Sequence, residues 1–193
     1  MSDVKYVHDQ ITDFMSNDTE KTLLLRGIAD KEKHQVLLKA LNKSGDLKGL
    51  INLIHTTKDG MQDFFRWAEL YKVIVPKKYG QRMRLSNLTI YFDNLTTKQN
   101  SDKYDDHAFD FMIIWPIQSV TKSEKEIQML KEMAQRQRTK KIIFLTLKEP
   151  WYKPDSFEAF VDRIINLDCE NDDPKEYQRI IAAYEEDMKR RRF

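Results

Sequence analysis

Residues 22–41 read TLLLRGIADKEKHQVLLKAL, and the fold follows from how that stretch divides. Leu23-Leu24-Leu25 is an uninterrupted apolar run closed by Gly27, the pattern of a strand buried on both faces. After Ala29-Asp30 the apolar period changes, and Val36, Leu37, Leu38, Ala40 and Leu41 fall on a helical stripe. Asp30 is a suitable N-cap and Gly45 a suitable stop for that helix. A strand, a glycine turn and a helix therefore succeed one another here.

The same alternation continues on both sides. Val4, Val7, Ile11 and Phe14 have helical spacing before the strand. Beyond the helix come a strand at Leu50 to His55, a helix from Met61 to Val75 closed by Pro76, and a strand at Leu88 to Phe92. The segment Phe109 to Val120 contains the most apolar strand, Phe111 to Trp115, ended by Pro116. A charged helix, Ser123 to Gln137, turns Ile127, Leu130, Met133 and Ala134 inward. Ile142 to Leu145 and Arg163 to Leu167 read as strands, with a short helix around Phe157 to Phe160 between them. Pro174 opens a last helix through Tyr177, Ile180, Ile181 and Tyr184 that ends in the basic run Lys189 to Arg192. The expectation is one α/β domain over 1–193, with an N-terminal helix (1–20), a core (21–170) and a C-terminal helix with basic tail (174–193). Its architecture is a three-layer, mainly parallel sheet with helices on both faces.

Composition narrows the function classes. With 33 basic against 31 acidic residues the charge is balanced, so any attraction to nucleic acid must come from local patches. One cysteine, Cys169, and four histidines supply no zinc framework, and no metal site is expected. The opening Met1-Ser2-Asp3-Val4-Lys5 lacks the apolar core of a signal peptide. No apolar run approaches the roughly 20 residues of a membrane-spanning helix, so no membrane role is expected. The chain reads as cytoplasmic, or nuclear in a eukaryote. Only 5 glycines occur in it, few for a protein that cradles phosphates.

The stretch that decides the fold also carries a motif. The P-loop template G-x-x-x-x-G-K-[ST] aligns with Gly27, Ile28, Ala29, Asp30, Lys31, Glu32, Lys33 and His34. The first glycine and the lysine are in register, whereas the second glycine is Glu32 and the metal-holding hydroxyl is His34. Together with FDFMIIWPIQSV (109–120), KKIIFLTL (140–147) and DRIINLD (162–168), this stretch resembles the RecA/KaiC-like ATPases over about residues 20–170. The resemblance implies a P-loop NTPase-like sheet, with Phe109 to Val120 in the place of the Walker B strand. That strand ends in Trp115-Pro116 where the family has an acid, and Asp110 sits at its other end. A Glu32 carboxylate in the nest would stand where phosphates bind, and its side chain would obstruct close backbone approach. The plain alternative is a strand-to-helix turn at Gly27 with Lys33 exposed on the helix.

Other constellations carry less. Asp102, Asp105, Asp106, His107 and Asp110 lack the glycine and distal glutamate of a calcium loop and read as a solvated loop from Thr96 to His107. Cys169, between Asp168 and Glu170, has its thiolate disfavoured by like charge. His34 and His55 fall near the carboxyl ends of the first two strands, where open α/β sheets bind ligands. Lys77, Lys78, Arg82 and Arg84 flank Tyr79 in a segment read as a loop, a pattern that suits a phosphate backbone. Arg136 to Lys141 reads as cations at the end of a helix. Trp151 and Tyr152, bracketed by prolines, are partner-binding candidates.

These readings converge on a non-catalytic RecA/KaiC-like domain, without a cofactor, acting as an interaction or regulatory subunit. The resemblance implies a protein partner or oligomer, in company such as a DNA recombination or repair assembly. Two alternatives stay open. One is a divergent NTPase that uses Gly27, Lys33 and His34 with Asp93 or Asp110. The other is a stand-alone, nonspecific nucleic-acid binder acting through Lys77 to Arg84.

Overall fold

A computed structural model of the chain describes residues 2–54, 59–94, 108–120, 124–135, 138–147 and 155–190. Its strands are β1 (Thr22–Arg26), β2 (Leu47–Leu53), β3 (Arg82–Leu85), β4 (Leu88–Asn94), β5 (Phe109–Trp115), β6 (Thr139–Leu145) and β7 (Arg163–Asn166). Its helices are α1 (Asp3–Ser16), α2 (Asp30–Lys43), α3 (Gly60–Trp67), α4 (Glu124–Ala134), α5 (Asp155–Glu158) and α6 (Pro174–Arg190). The strands form one sheet in the order β3-β4-β2-β5-β6-β1-β7. All neighbours run parallel except β3, which pairs antiparallel with β4. The fold is thus α/β and mainly parallel, with one strand, β6, between β1 and β5.

The continuous apolar runs are explained by the two covered faces. Successive strand residues point to opposite sides, so Leu23 and Leu25 join a core with α1, α2 and α3, while Leu24 joins the opposite core. The first core interleaves Ile11, Phe14, Leu37, Leu41, Phe64 and Phe65 with Ile51, Phe111 and Ile113 of the sheet. The second packs Leu130 of α4 and Phe157 of α5 on Met112, Ile114, Ile142 and Phe144. By contrast, α6 has no buried residue, and its Ile180, Ile181 and Tyr184 are only half-buried.

Two expectations fail for physical reasons. Helix α3 stops at Trp67 instead of running to Val75. The Leu70 N–H reaches Phe65 O at 2.9 Å and the Glu69 N–H reaches Arg66 O at 2.9 Å, the pattern of a Schellman stop. Glu69 takes the left-handed position, φ 60°, that glycine normally announces. The segment 77–84 is also only partly a loop, because Arg82–Leu85 is the edge strand β3. Smaller shifts place β2 three residues earlier than read and end α4 at Ala134. The acidic segment 96–107 lies outside the described residues.

Gly49 marks a close approach within the sheet. A Cβ there would lie 2.0 Å from the Phe111 ring of the neighbouring strand, so the aromatic takes the space that any other residue would fill. Gly49→Ala is expected to cost about 1–3 kcal/mol by overpacking. Adding Phe111→Leu should recover part of that loss, a non-additivity that urea denaturation of the single and double variants will measure.

Candidate functional site

The motif-bearing turn lies between β1 and α2. Gly27 has φ 117°, and a Cβ on it would stand 2.3 Å from Leu167 O, so the chain leaving β7 is what requires glycine here. That same stretch consumes the donors of the turn. The Ile28 N–H donates to Asp168 Oδ1 at 2.9 Å and the Ala29 N–H to Leu167 O at 3.2 Å. Because α2 begins at Asp30, the turn is short, and Glu32 sits in the first helical turn beside Lys31 (3.3 Å), a favourable place for an acid. A phosphate cradle needs successive N–H groups facing one concavity. Two of the N–H groups of this turn are already committed to the residues that follow β7.

Lys33 is fully buried, at 0% exposure, which corrects the expectation of an exposed helix residue. Its ammonium donates to Gly27 O and to Thr146 Oγ1 (2.8 Å), and it lies 3.1 Å from Asp30 Oδ1. Those three oxygens come from the end of β1, the residue after β6 and the start of α2. A buried charge is tolerable only when paired and hydrogen-bonded, and here the protein supplies all the partners itself.

His34 turns the other way. Its Nδ1 sits 2.6 Å from Asp30 O, so in the neutral ring this nitrogen carries the proton and donates to the carbonyl. Burial pushes the imidazole down to about 3, with the Lys33 charge acting in the same direction and the Asp30 carbonyl opposing them. The ring meets Phe64 (5.3 Å), Trp115 (5.6 Å) and Trp67 (6.3 Å between centroids). Trp115 ends β5 and is buried. The two positions that in the motif hold a metal, the residue after the lysine and the end of the Walker B-like strand, therefore do meet in space. They meet as an imidazole edge-on to an indole (88°), with His34 Nε2 and Trp115 Nε1 both buried and without a hydrogen-bond partner among the described residues.

The alternative acids are far from Lys33. Asp93 is the next-to-last residue of β4, four strand spacings from β1 at about 4.8 Å each, or about 19 Å away. Asp110 lies at the amino end of β5, where it accepts from the Lys48 N–H (2.9 Å) and pairs with Lys140 Nζ (2.8 Å). Burial pushes the Asp110 carboxyl up, but those two donors outweigh it and hold it below its usual range. Among the described residues no group of three His, Cys, Asp or Glu is placed to hold a metal. The Cys169 thiol is raised to about 12 by burial and by the carboxylates Glu32, Asp172, Asp3 and Asp168 around it.

The basic segment is divided. Lys77, Lys78, Arg82 and Arg84 are exposed, but Tyr79 is half-buried with its hydroxyl 3.5 Å from Asn94 Nδ2, and Arg84 pairs with Asp46 at 3.2 Å. Lys140 and Lys141 belong to β6 instead of a helix end, and Lys141 donates to Asn17 O and Glu20 O just after α1. Trp151, Tyr152 and His55 lie outside the described residues. Sequence reasoning missed Thr146, Asp30 and Asp168 as the partners that close the turn. The available signal was positional, since each stands at the end of a strand or the start of a helix facing the same corner.

No family model matches the chain, and no curated protein matches it. Among solved structures, it is similar to the assembled ATPase EscN of the type III secretion system of enteropathogenic E. coli, at a TM-score of 0.45 and 11% identity. The likeness covers 78% of this chain and 43% of that one, so the chain spans less than half the length of that neighbour.

The buried histidine makes stability pH-dependent. Its folded value lies below the ordinary 6.5, so the unfolded state binds the proton first and stability is lost as pH falls through 6.5 toward about 3. Between pH 7 and pH 5 this group alone should remove about 2 kcal/mol. The measurement is denaturant unfolding of the native chain against His34→Phe at both pH values, the difference between the two proteins being the histidine contribution.

Proposed function

We propose that this chain is a non-catalytic P-loop-like domain that acts as an interaction or regulatory subunit. The observation that carries the reading is the burial of Lys33 among Gly27 O, Thr146 and Asp30, which spends on the fold the charge that a nucleotide site offers to phosphate. The His34–Trp115 contact supports it, because a hydrated metal does not fit between two packed aromatic rings. A scaffold kept without its chemistry serves through its surfaces. The setting, a DNA recombination or repair assembly with a protein partner, rests on the resemblance to RecA/KaiC-like ATPases.

The divergent-NTPase reading predicts saturable binding of Mg-ATP, and the proposed one predicts no calorimetric heat and no melting shift at millimolar ligand. Saturable binding abolished by replacing Lys33 would overturn the proposal. Lys33→Met removes the cation beside the half-buried Asp30 carboxylate and should cost about 3 kcal/mol. Lys33→Met with Asp30→Asn removes both charges and should recover part of that stability, so the folded double variant serves as the binding control.

A further inference from the structure

The β3 edge of the sheet combines three features that together define an occupant. The first is charge. Residues 70–92 contain five cations, Lys72, Lys77, Lys78, Arg82 and Arg84, and no acid, in a chain whose overall charge is nearly balanced. Lys77, Lys78 and Arg82 are exposed, and among the described residues no carboxylate pairs with them. The second is an open ladder. β3 is the last strand of the described sheet. Its hairpin closes at Leu85↔Leu88 across Ser86-Asn87, and the partners of the following residues are Arg84↔Thr89, Met83↔Ile90 and Arg82↔Tyr91. In a two-residue hairpin the closing pair is hydrogen-bonded and the pairs alternate from there. Leu85 and Met83 thus bond inward to β4, whereas the N–H and C=O groups of Arg82 and Arg84 point outward. The third is an open groove of about 640 Å³ along this edge, lined by Ile74, Val75, Pro76 and Met83 together with Gln81 and Arg82. Ile74, in that lining, is 88% exposed.

We propose that the β3 edge docks an acidic, extended segment of a partner protein, which adds to the sheet as a further strand. Backbone groups of Arg82 and Arg84 pair with the segment's backbone, apolar side chains on alternate positions enter the groove, and its carboxylates face Lys77, Lys78 and Arg82. A nucleic acid would use the cations but neither the outward ladder nor the apolar part of the groove. Of the rings near these cations, Tyr79 is turned in toward Asn94 and Tyr71 is exposed, so the choice of occupant rests on the ladder and the groove. The inference deepens the interaction-subunit reading and rests on it. The Mg-ATP titration and the test below fail independently, because one probes the β1–α2 turn and the other the opposite edge of the sheet.

The test is fluorescence anisotropy of the full chain with a labelled peptide of about ten residues that alternates Glu with Val. A Lys-for-Glu counterpart and a single-stranded oligodeoxynucleotide serve as competitors. Saturable binding of the acidic peptide alone is expected. Lys77→Glu with Lys78→Glu and Arg82→Glu should weaken it by about tenfold or more. Arg84→Pro, tolerated on an edge strand, removes one outward donor and should weaken binding well beyond Arg84→Ala, which keeps that donor. Circular dichroism of each variant confirms the fold. The proposal is overturned if the acidic peptide fails to saturate below about 1 mM, or if the lysine peptide binds equally. It also falls if the oligonucleotide binds more tightly with equal affinity for Arg84→Pro and Arg84→Ala, which would make the edge a nucleic-acid surface.

Discussion

The Lys33 ammonium ties the turn between β1 and α2, at Gly27 and Asp30, to Thr146 beyond β6, a residue more than a hundred positions away in sequence. With no exposure to water, its charge has to be balanced by those groups, and the balance sets where α2 begins. A helix starting at Asp30 carries His34 inward over Trp115 and sends Val36, Leu37 and Leu41 into the core. The rest of that corner is a consequence. Once the helix is fixed this close to the strand, the turn has too few residues to wrap a ligand, and its N–H groups bond to Asp168 and Leu167.

At the opposite, amino-terminal rim of the sheet, charged groups do comparable structural work. Asp162 accepts from the Lys21 N–H, the Thr22 N–H and the Thr22 hydroxyl, each at 2.8 Å, and so fastens the start of β1 to the start of β7. Burial pushes the Asp162 carboxyl up, yet these donors and the Lys141 charge together hold it below its ordinary range. Asp110 joins β2 to β6 in the same fashion. Residues that look like acid–base chemistry in a linear reading are here the caps of strand ends, where unpaired backbone N–H groups would otherwise be buried.

Much of the architecture was legible because apolar runs bounded by turn residues leave few alternatives. Leu23 to Leu25, Phe111 to Trp115 and Ile142 to Leu145 are strands as read, and the parallel sheet follows from the helices between them. The misses share a cause, which is that tertiary context overrode a local sign. Glu69 adopts a backbone conformation that its side chain does not advertise. β3 alternates Arg with Met and Leu, a strand period that its cations disguised as a loop. At the candidate site the loss of the second glycine and the hydroxyl was visible in residues 27–34. The closure of the turn was not, because its partners Thr146, Leu167 and Asp168 lie more than a hundred residues away and are brought there by the sheet order.

That sheet order bears on how the chain assembles. β1 lies between β6 and β7, so Leu23 to Leu25 find their strand neighbours only in residues 143–145 and 163–165. During synthesis from the amino terminus, the most apolar part of the first third has no sheet to join until most of the chain has emerged. α1 and α2, which pack on each other, are the partners available to shield it in the interval. Closing so long a loop before any strand pairing is gained makes the central sheet a late and slow event. The exposed leucine strand in the meantime is the segment through which a truncated or stalled chain would aggregate.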